Sequence, residues 1–170
     1  MAAKRIDVIS DTHGRLSDEL LAQLQGADAI VHAGDMCSPL DFDVLRKIAP
    51  TYMCLGNNDW AYEYNNHFGK LYRESFQKNV RVLLFGLKWE LCHYRERLDL
   101  SWCDIAICGH THRPLIQRLE SGQLLMNPGS PTFPRGGSPY SFGRIWIQDD
   151  GSLDAELLEL PRAFKKRFWD

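Results

Sequence analysis

Five short polar segments each follow directly on an apolar run, and each carries side chains able to bind a metal ion. "SDTHG" presents Asp11 and His13, "AGD" presents Asp35, "GNND" presents Asn57, Asn58 and Asp59, "LCHY" presents His93, and "CGHTHRP" presents His110 and His112. One Asp or Asn in such a place commonly caps a helix or closes a turn, and one His is commonly structural. Five such segments in a chain with six histidines point instead to one shared site. Asp11, His13, Asp35, Asn57, His93, His110 and His112 offer seven oxygen and nitrogen donors. That is too many for one tetrahedral ion and suits two ions sharing a bridging carboxylate. Imidazole combined with carboxylate favours Zn, Mn or Fe over Ca or a soft-metal site.

Residues so far apart in the chain converge only if the elements between them bring them together. "RIDVIS" (Arg5–Ser10) reads as a strand, "LSDELLAQL" (Leu16–Leu24) as a helix, and "AIVHAG" (Ala29–Gly34) as a second buried strand. A second helix is predicted over Pro39–Ile48, with Ser38 as N-cap and Pro39 at its first position, followed by the strand "TYMCLG" (Thr51–Gly56). This β-α-β-α-β start implies parallel strands with right-handed crossovers. After Gly69 the pattern becomes strand-rich: "RVLLFG" and "LKWELCH" flank a turn at Gly86, and "IAICG" is a buried strand. "LIQRLESGQLLMN" reads as a hairpin turned at Ser121-Gly122, and the stretch from Ser141 to Leu160 as another around Asp150-Gly151. The Pro- and Gly-rich run Asn127–Pro139 reads as a long functional loop, and "YNNHF" with His67 as a polar stretch without a role. Parallel strands share one carboxyl edge, so the polar segments are expected to meet in one crevice there.

Length and composition narrow the class. A chain of 170 residues with 44% hydrophobic content fits a single globular domain over residues 1–170. A formal charge of −2 with mixed signs gives no basic field for nucleic-acid polymers. Five cysteines, odd in number and without a C-x-x-C pair, suggest neither a disulfide framework nor a structural zinc site. No apolar run reaches membrane-spanning length, and "MAAKRIDVIS" enters a strand too early for a signal peptide, which predicts a cytoplasmic protein.

The order D-x-H, G-D, G-N-x-D, a lone H and G-H-x-H, with "NPGS" after the last, resembles the calcineurin-like metallophosphoesterase superfamily. Within it, the small size is similar to that of the compact YfcE-type phosphodiesterases, and the likeness runs from Arg5 to about Leu160. The resemblance implies an α/β fold, a four-layer αββα sandwich of two mixed β-sheets flanked by helices, with a dinuclear site at the sheet edge. It implies that Asp11, His13 and His112 hold one ion, that Asn57, His93 and His110 hold the other, and that Asp35 bridges them. Asp35, Asn57 and His93 are thereby the catalytic candidates. The implied cofactors are two divalent ions, Mn2+ first with Zn2+ or Fe2+ as alternatives, and the implied reaction is attack of an intermetal hydroxide on a small phosphodiester.

The chain departs from the superfamily pattern at Asn58, where many members carry a His able to protonate the leaving oxygen. An amide cannot give up its proton in this way, so esters with acidic leaving groups, aryl or nucleotidyl diesters, are expected over alkyl monoesters. YfcE-type members commonly lack that His too. A second departure, "YRER" after His93 where Gly is common, leaves Arg95 and Arg97 on a solvated loop. Arg113, Arg135 and Asn58 are the substrate-binding candidates, the arginines because guanidinium matches phosphate oxygens bidentately. Asp59 is expected to orient a ligand histidine, His32 to sit behind the ligands or in the core, and "RAFKKRFW" to pack as a terminal segment. A phosphomonoesterase or nuclease of the same fold stays open. So does a protein-binding scaffold similar to the retromer subunit of this fold, and so does homo-oligomerisation.

Overall fold

The computed structural model describes residues 2–69 and 76–162. The basic-aromatic "RAFKKRFW" lies outside these beyond Arg162. The chain begins with β1 (Lys4–Ile9), α1 (Asp18–Leu24), β2 (Ala29–His32), α2 (Pro39–Ile48), β3 (Thr51–Met53) and α3 (Ala61–Phe68). It continues with β4 (Asn79–Leu84), β5 (Leu87–Cys92), β6 (Ile105–Ile107), β7 (Leu115–Arg118), β8 (Leu124–Asn127), β9 (Ser141–Ile147) and β10 (Leu153–Glu159).

The first two helices start where the sequence supplies a cap. Ser17 Oγ accepts from Leu20 N at 3.1 Å, so α1 begins at Asp18 rather than at Leu16. Ser38 Oγ accepts from Asp41 N, and α2 keeps its expected bounds with Pro39 at the start. α3 occupies part of the stretch read as merely polar. Its start has no side-chain cap, and its hold on the protein comes from Tyr64, fully buried, and from Phe68 against Phe42 and Phe76.

The two sheets run β10-β9-β1-β2-β3 and β4-β5-β6-β8-β7. β1, β2 and β3 are parallel in the first, and β5, β6 and β8 in the second, while antiparallel strands close one side of the first sheet and both sides of the second. Each sheet is therefore mixed. All three hairpins form as expected, and in β4–β5 both turn residues, Phe85 and Gly86, have positive φ (51° and 81°), which matches the right-handed twist of the strands.

Three apolar layers hold the strands. Ile6, Val8 and Val31 of the first sheet pack against Trp89, Leu91, Ile105, Ile107 and Met126 of the second. On the far side of the first sheet, Ile9 and Ile30 meet Leu20, Leu24, Phe42, Leu45 and Tyr64 of the helices. The far side of the second sheet is covered more thinly. Leu98, Leu100 and Trp102, following a 3-10 turn at Arg95–Arg97, lie over Ala106, Cys108 and Leu125.

The strands β1, β2 and β3 end one to three residues earlier than the apolar runs suggest; after β1 and β2 the chain turns into left-handed backbone at Asp11 and Asp35. All five cysteines are free thiols. Among the described residues no helix is long and apolar enough to cross a membrane.

Candidate metal centre

The carboxyl ends of the parallel strands from both sheets meet at one edge, and all seven expected ligands gather there. Asp11 Oδ1 lies 3.1 Å from His112 Nε2, 3.8 Å from His93 Nε2 and 4.0 Å from His13 Nε2. Asp35 Oδ2 lies 3.5 Å from His93 Nε2 and 3.8 Å from His13 Nε2. Asp35 thus stands between one histidine of each expected ion. Asp11, expected at one ion only, also reaches both: the donor atoms of Asp11, His13 and His112, and those of Asp11, Asp35 and His93, each cluster within 4.8 Å. Asn57 and His110 adjoin at the more exposed side. His110 Nδ1 is 3.2 Å from Asn57 Oδ1, and its ring meets that of His93 at 5.2 Å.

Backbone carbonyls aim two of the histidines. The Ala33 carbonyl accepts from His93 Nδ1 at 2.8 Å, and the Phe133 carbonyl accepts from His112 Nδ1. Each Nε2 is then free to present a lone pair to the centre. His93 Nε2 and Asp11 Oδ1 are buried without a hydrogen-bond partner, an arrangement that costs a few kcal/mol unless something else fills the gap. A cation between them is such a filler. The imidazole and carboxylate donors, the aimed Nε2 atoms and these two orphaned atoms fit a divalent ion of the Zn, Mn or Fe type.

The charges are balanced within the site. Burial acts to raise the pKa of Asp35, but the His93 imidazole beside it and the hydrogen bonds from Asn58 outweigh it and hold the carboxyl below the usual carboxylate range. Burial opposes protonation of His93 and His112, yet Asp35 and Asp11 beside them draw both pKa values upward. For His13 burial prevails and the pKa falls.

Backbone geometry marks the same residues. Asp11, His13, Asp35, His110 and His112 all have φ between 49° and 69°, a left-handed conformation that non-glycine residues adopt rarely and at a cost of about 1–3 kcal/mol each. The motif glycines answer a different need, that of close approach. A Cβ on Gly56 would overlap Asp35, one on Gly109 would overlap Ser10 Oγ and Asp11 Oδ2, and one on Gly34 would stand 2.8 Å from His93 Nδ1.

Among the neighbours, Asp59 acts otherwise than the sequence suggested, whereas His32 lies in the core as expected. Asp59 touches no ligand histidine; it accepts from the backbone N–H groups of Asp35 (2.7 Å), Gly56 (2.8 Å) and Cys37 (2.8 Å) and from the Tyr64 hydroxyl (2.9 Å). It ties the loops after β2 and β3 together because a buried carboxylate there meets converging N–H donors. Asn58 gives its backbone N–H and its side-chain amide to the two oxygens of Asp35, both at 2.8 Å. His32 lies in the core, accepting from Gly34 N at Nδ1 and meeting Thr12 Oγ1 at 2.9 Å, and burial lowers its pKa to about 4. His67 pairs with Asp43, away from the site. Arg135 reaches the His110 carbonyl at 3.5 Å, and Arg113 lies exposed on the same side.

Sequence reasoning missed the hydroxyls beneath the centre. Ser10 Oγ donates to Asp11 Oδ2 at 2.6 Å, while Ser130 and Thr132 donate to the Asp11 carbonyl at 2.8 and 3.2 Å. Asn127 Nδ2 donates to the Gly109 carbonyl at 2.8 Å. The signal was the density of Ser, Thr and Asn in "NPGSPT", where the partners of Ser130 and Thr132 are about 120 residues distant in the chain.

The sequence and the fold have counterparts in known proteins. A probable metallophosphoesterase of Methanothermobacter thermautotrophicus is 34% identical over 162 residues, covering 90% of this chain and 91% of its own. Vacuolar protein sorting 29 from Cryptosporidium parvum shares the fold with a TM-score of 0.70 at 22% identity, over 94% of this chain and 99% of its own. A predicted phosphoesterase from Streptococcus pneumoniae does so with a TM-score of 0.65 at 24% identity, over 94% and 91%. The family model described as calcineurin-like phosphoesterase superfamily domain matches residues 5–150. The chain therefore belongs to the calcineurin-like phosphoesterase superfamily, whose members are metal-dependent hydrolases of phosphoesters.

Proposed function

We propose that the protein is a dinuclear-metal phosphodiesterase acting on small diesters with acidic leaving groups. The observation that carries this reading is the pair of buried, partnerless atoms Asp11 Oδ1 and His93 Nε2, 3.8 Å apart, at the point where the other ligand-type side chains converge. Asp11, His13 and His112 would hold one ion and Asn57, His93 and His110 the other, with Asp35 between them. Mn2+ is the first candidate, with Zn2+ or Fe2+ as alternatives. When bound, such a pair of ions supplies an activated water and charge neutralisation for the phosphoryl group. The chain's own residues do the positioning. Asp35, kept ionised by Asn58 and His93, offers negative charge to both sides; Ala33 and Phe133 fix two imidazoles; Arg135, beside the His110 carbonyl, would meet a phosphate oxygen.

Asn58 occupies the place where a proton donor would be useful, and both its bonds go to Asp35, which supports a preference for leaving groups that depart without protonation. The likeness to Vacuolar protein sorting 29 keeps a scaffold in view, but seven ligand-type side chains in one crevice support an enzyme. The five free thiols support a reducing, cytoplasmic setting.

The test joins metal analysis with hydrolysis. Protein loaded with Mn2+ and desalted should carry two ions per chain and hydrolyse bis(p-nitrophenyl) phosphate with a higher kcat/KM than glycerol phosphate. One ion or none per chain, or a better rate on the monoester, would overturn the reading.

A further inference from the structure

We propose that the cavity beside His110 is an anion subsite for a phosphate other than the one hydrolysed, so that the substrate is a phosphodiester carrying a second phosphate group. This rests on the phosphodiesterase reading and extends it to substrate class. The cavity has a volume of about 570 Å³, within the roughly 300–1,000 Å³ that small-molecule sites occupy. Its wall is shared with the metal centre through His110, and the other side chains that matter are Arg95, Arg113, Arg135, Glu96 and Leu115.

The charge of the cavity is what singles it out. Three guanidinium groups face one carboxylate, in a chain whose net charge is −2. Elsewhere Arg5 and Arg144 pair with Asp7, Arg46 with Asp43, and Arg81 with Asp99, while Arg97 lies over the Tyr94 ring and Arg118 donates to the Leu153 carbonyl. Among the described residues, Arg95, Arg113 and Arg135 have no carboxylate partner. Arg95 is steadied by a neutral acceptor, Gln117 Oε1 at 3.0 Å, which orients a guanidinium without cancelling its charge. The Arg113 guanidinium lies against Gly136, where an added Cβ would stand 2.8 Å from its terminal nitrogen. Such held, unneutralised forks match phosphate oxygens in shape and charge.

The three arginines divide by position. Arg135 borders both this cavity and a second one of about 500 Å³ lined by His13 and His112, so it is placed over the metal centre and the scissile group. Arg95 and Arg113 border only the His110 side. A phosphate at the centre and a second one against Arg95 and Arg113 would be held together, with Pro114 and Leu115 offering apolar wall to the linker between them.

The experiment compares the p-nitrophenyl ester of thymidine 5′-phosphate with the same ester bearing a 3′-phosphate, using the Mn2+-loaded full chain. The wild type should favour the 3′-phosphorylated ester by about tenfold or more in kcat/KM, chiefly through KM. The preference should fall towards parity in Arg95→Gln and Arg113→Gln and vanish in the double variant. Equal use of the two esters by the wild type would overturn the subsite and leave the phosphodiesterase reading standing. A preference that survives the double variant would overturn it too. If neither ester is hydrolysed, the phosphodiesterase reading falls, and calorimetric titration with thymidine 3′,5′-bisphosphate against thymidine 5′-phosphate decides the subsite by the same tenfold criterion and the same variants.

Discussion

Asp35 receives Asn58 on both carboxylate oxygens and lies within 4 Å of histidines from both expected ions. Replacing it with Asn removes a negative charge from between two cations and sets amide against amide at Asn58. His112→Ala removes one neutral donor from one side. Asp35→Asn should therefore cost more activity on bis(p-nitrophenyl) phosphate, on the order of 100-fold or greater, and His112→Ala clearly less, because close cations without a compensating charge repel. Steady-state kinetics on both variants, each reloaded with metal, reads the difference; equal activity in the two and the wild type would remove the metallophosphoesterase reading. The candidate ligands that the fold gathers at one edge could be picked out in the sequence because each follows an apolar run and carries donor chemistry of its own. The supporting groups could not. Tyr64 and Ser130 have no distinctive spacing, and Asp59 became a tie for backbone N–H groups only once two loops were folded against each other.

At the scale of elements, the ligands sit on strand-to-loop junctions whose backbones nearly touch. Gly109 is the clearest example, since a methyl there would overlap Ser10 Oγ and Asp11 Oδ2. Gly109→Ala should displace Asp11, lower metal occupancy and activity together, and destabilise the protein by about 1–3 kcal/mol, the range for overpacking. Gly122→Ala is the control. It lies in a hairpin with open space around it but φ of 95°, so it should cost about 1 kcal/mol and leave metal content unchanged. Elemental analysis and thermal melting of both variants separate steric need at the site from ordinary turn strain. The parallel start and the hairpins were legible because period-two and helical patterns are strong there. α3 was not, since its sequence AYEYNNHF holds few apolar residues and its stability comes from aromatic packing with Phe42, on the preceding helix, and Phe76, beyond its own end.

At the scale of the whole molecule, the family resemblance supplied the sandwich, whereas hydrophobic pattern alone supplied only strands. Pairing of β1 with β9, and of β6 with β8 instead of its neighbour β7, joins segments whose apolar patterns carry no address. The two sheets face each other through a layer of side chains from Ile6 to Met126; the chain passes between them from β3 to β4 and from β8 to β9, and no disulfide joins them along the ligand edge. Each proposed ion takes donors from both: Asp11 and His13 follow β1 while His112 follows β6, and Asn57 follows β3 while His93 and His110 follow β5 and β6. The ions would then work as the clasp of a book whose spine is the greasy interior, so that chelation loosens the fore-edge first. Adding EDTA to the loaded protein should lower Tm by about 5–10 °C, the equivalent of roughly 3 kcal/mol of ligand linkage in a chain of this size. Amide exchange should quicken at residues 33–37 and 108–113 while the centres of β1 and β6 stay protected. A uniform rise along all strands would mean that the ions stabilise the leaves separately and do not hold them shut.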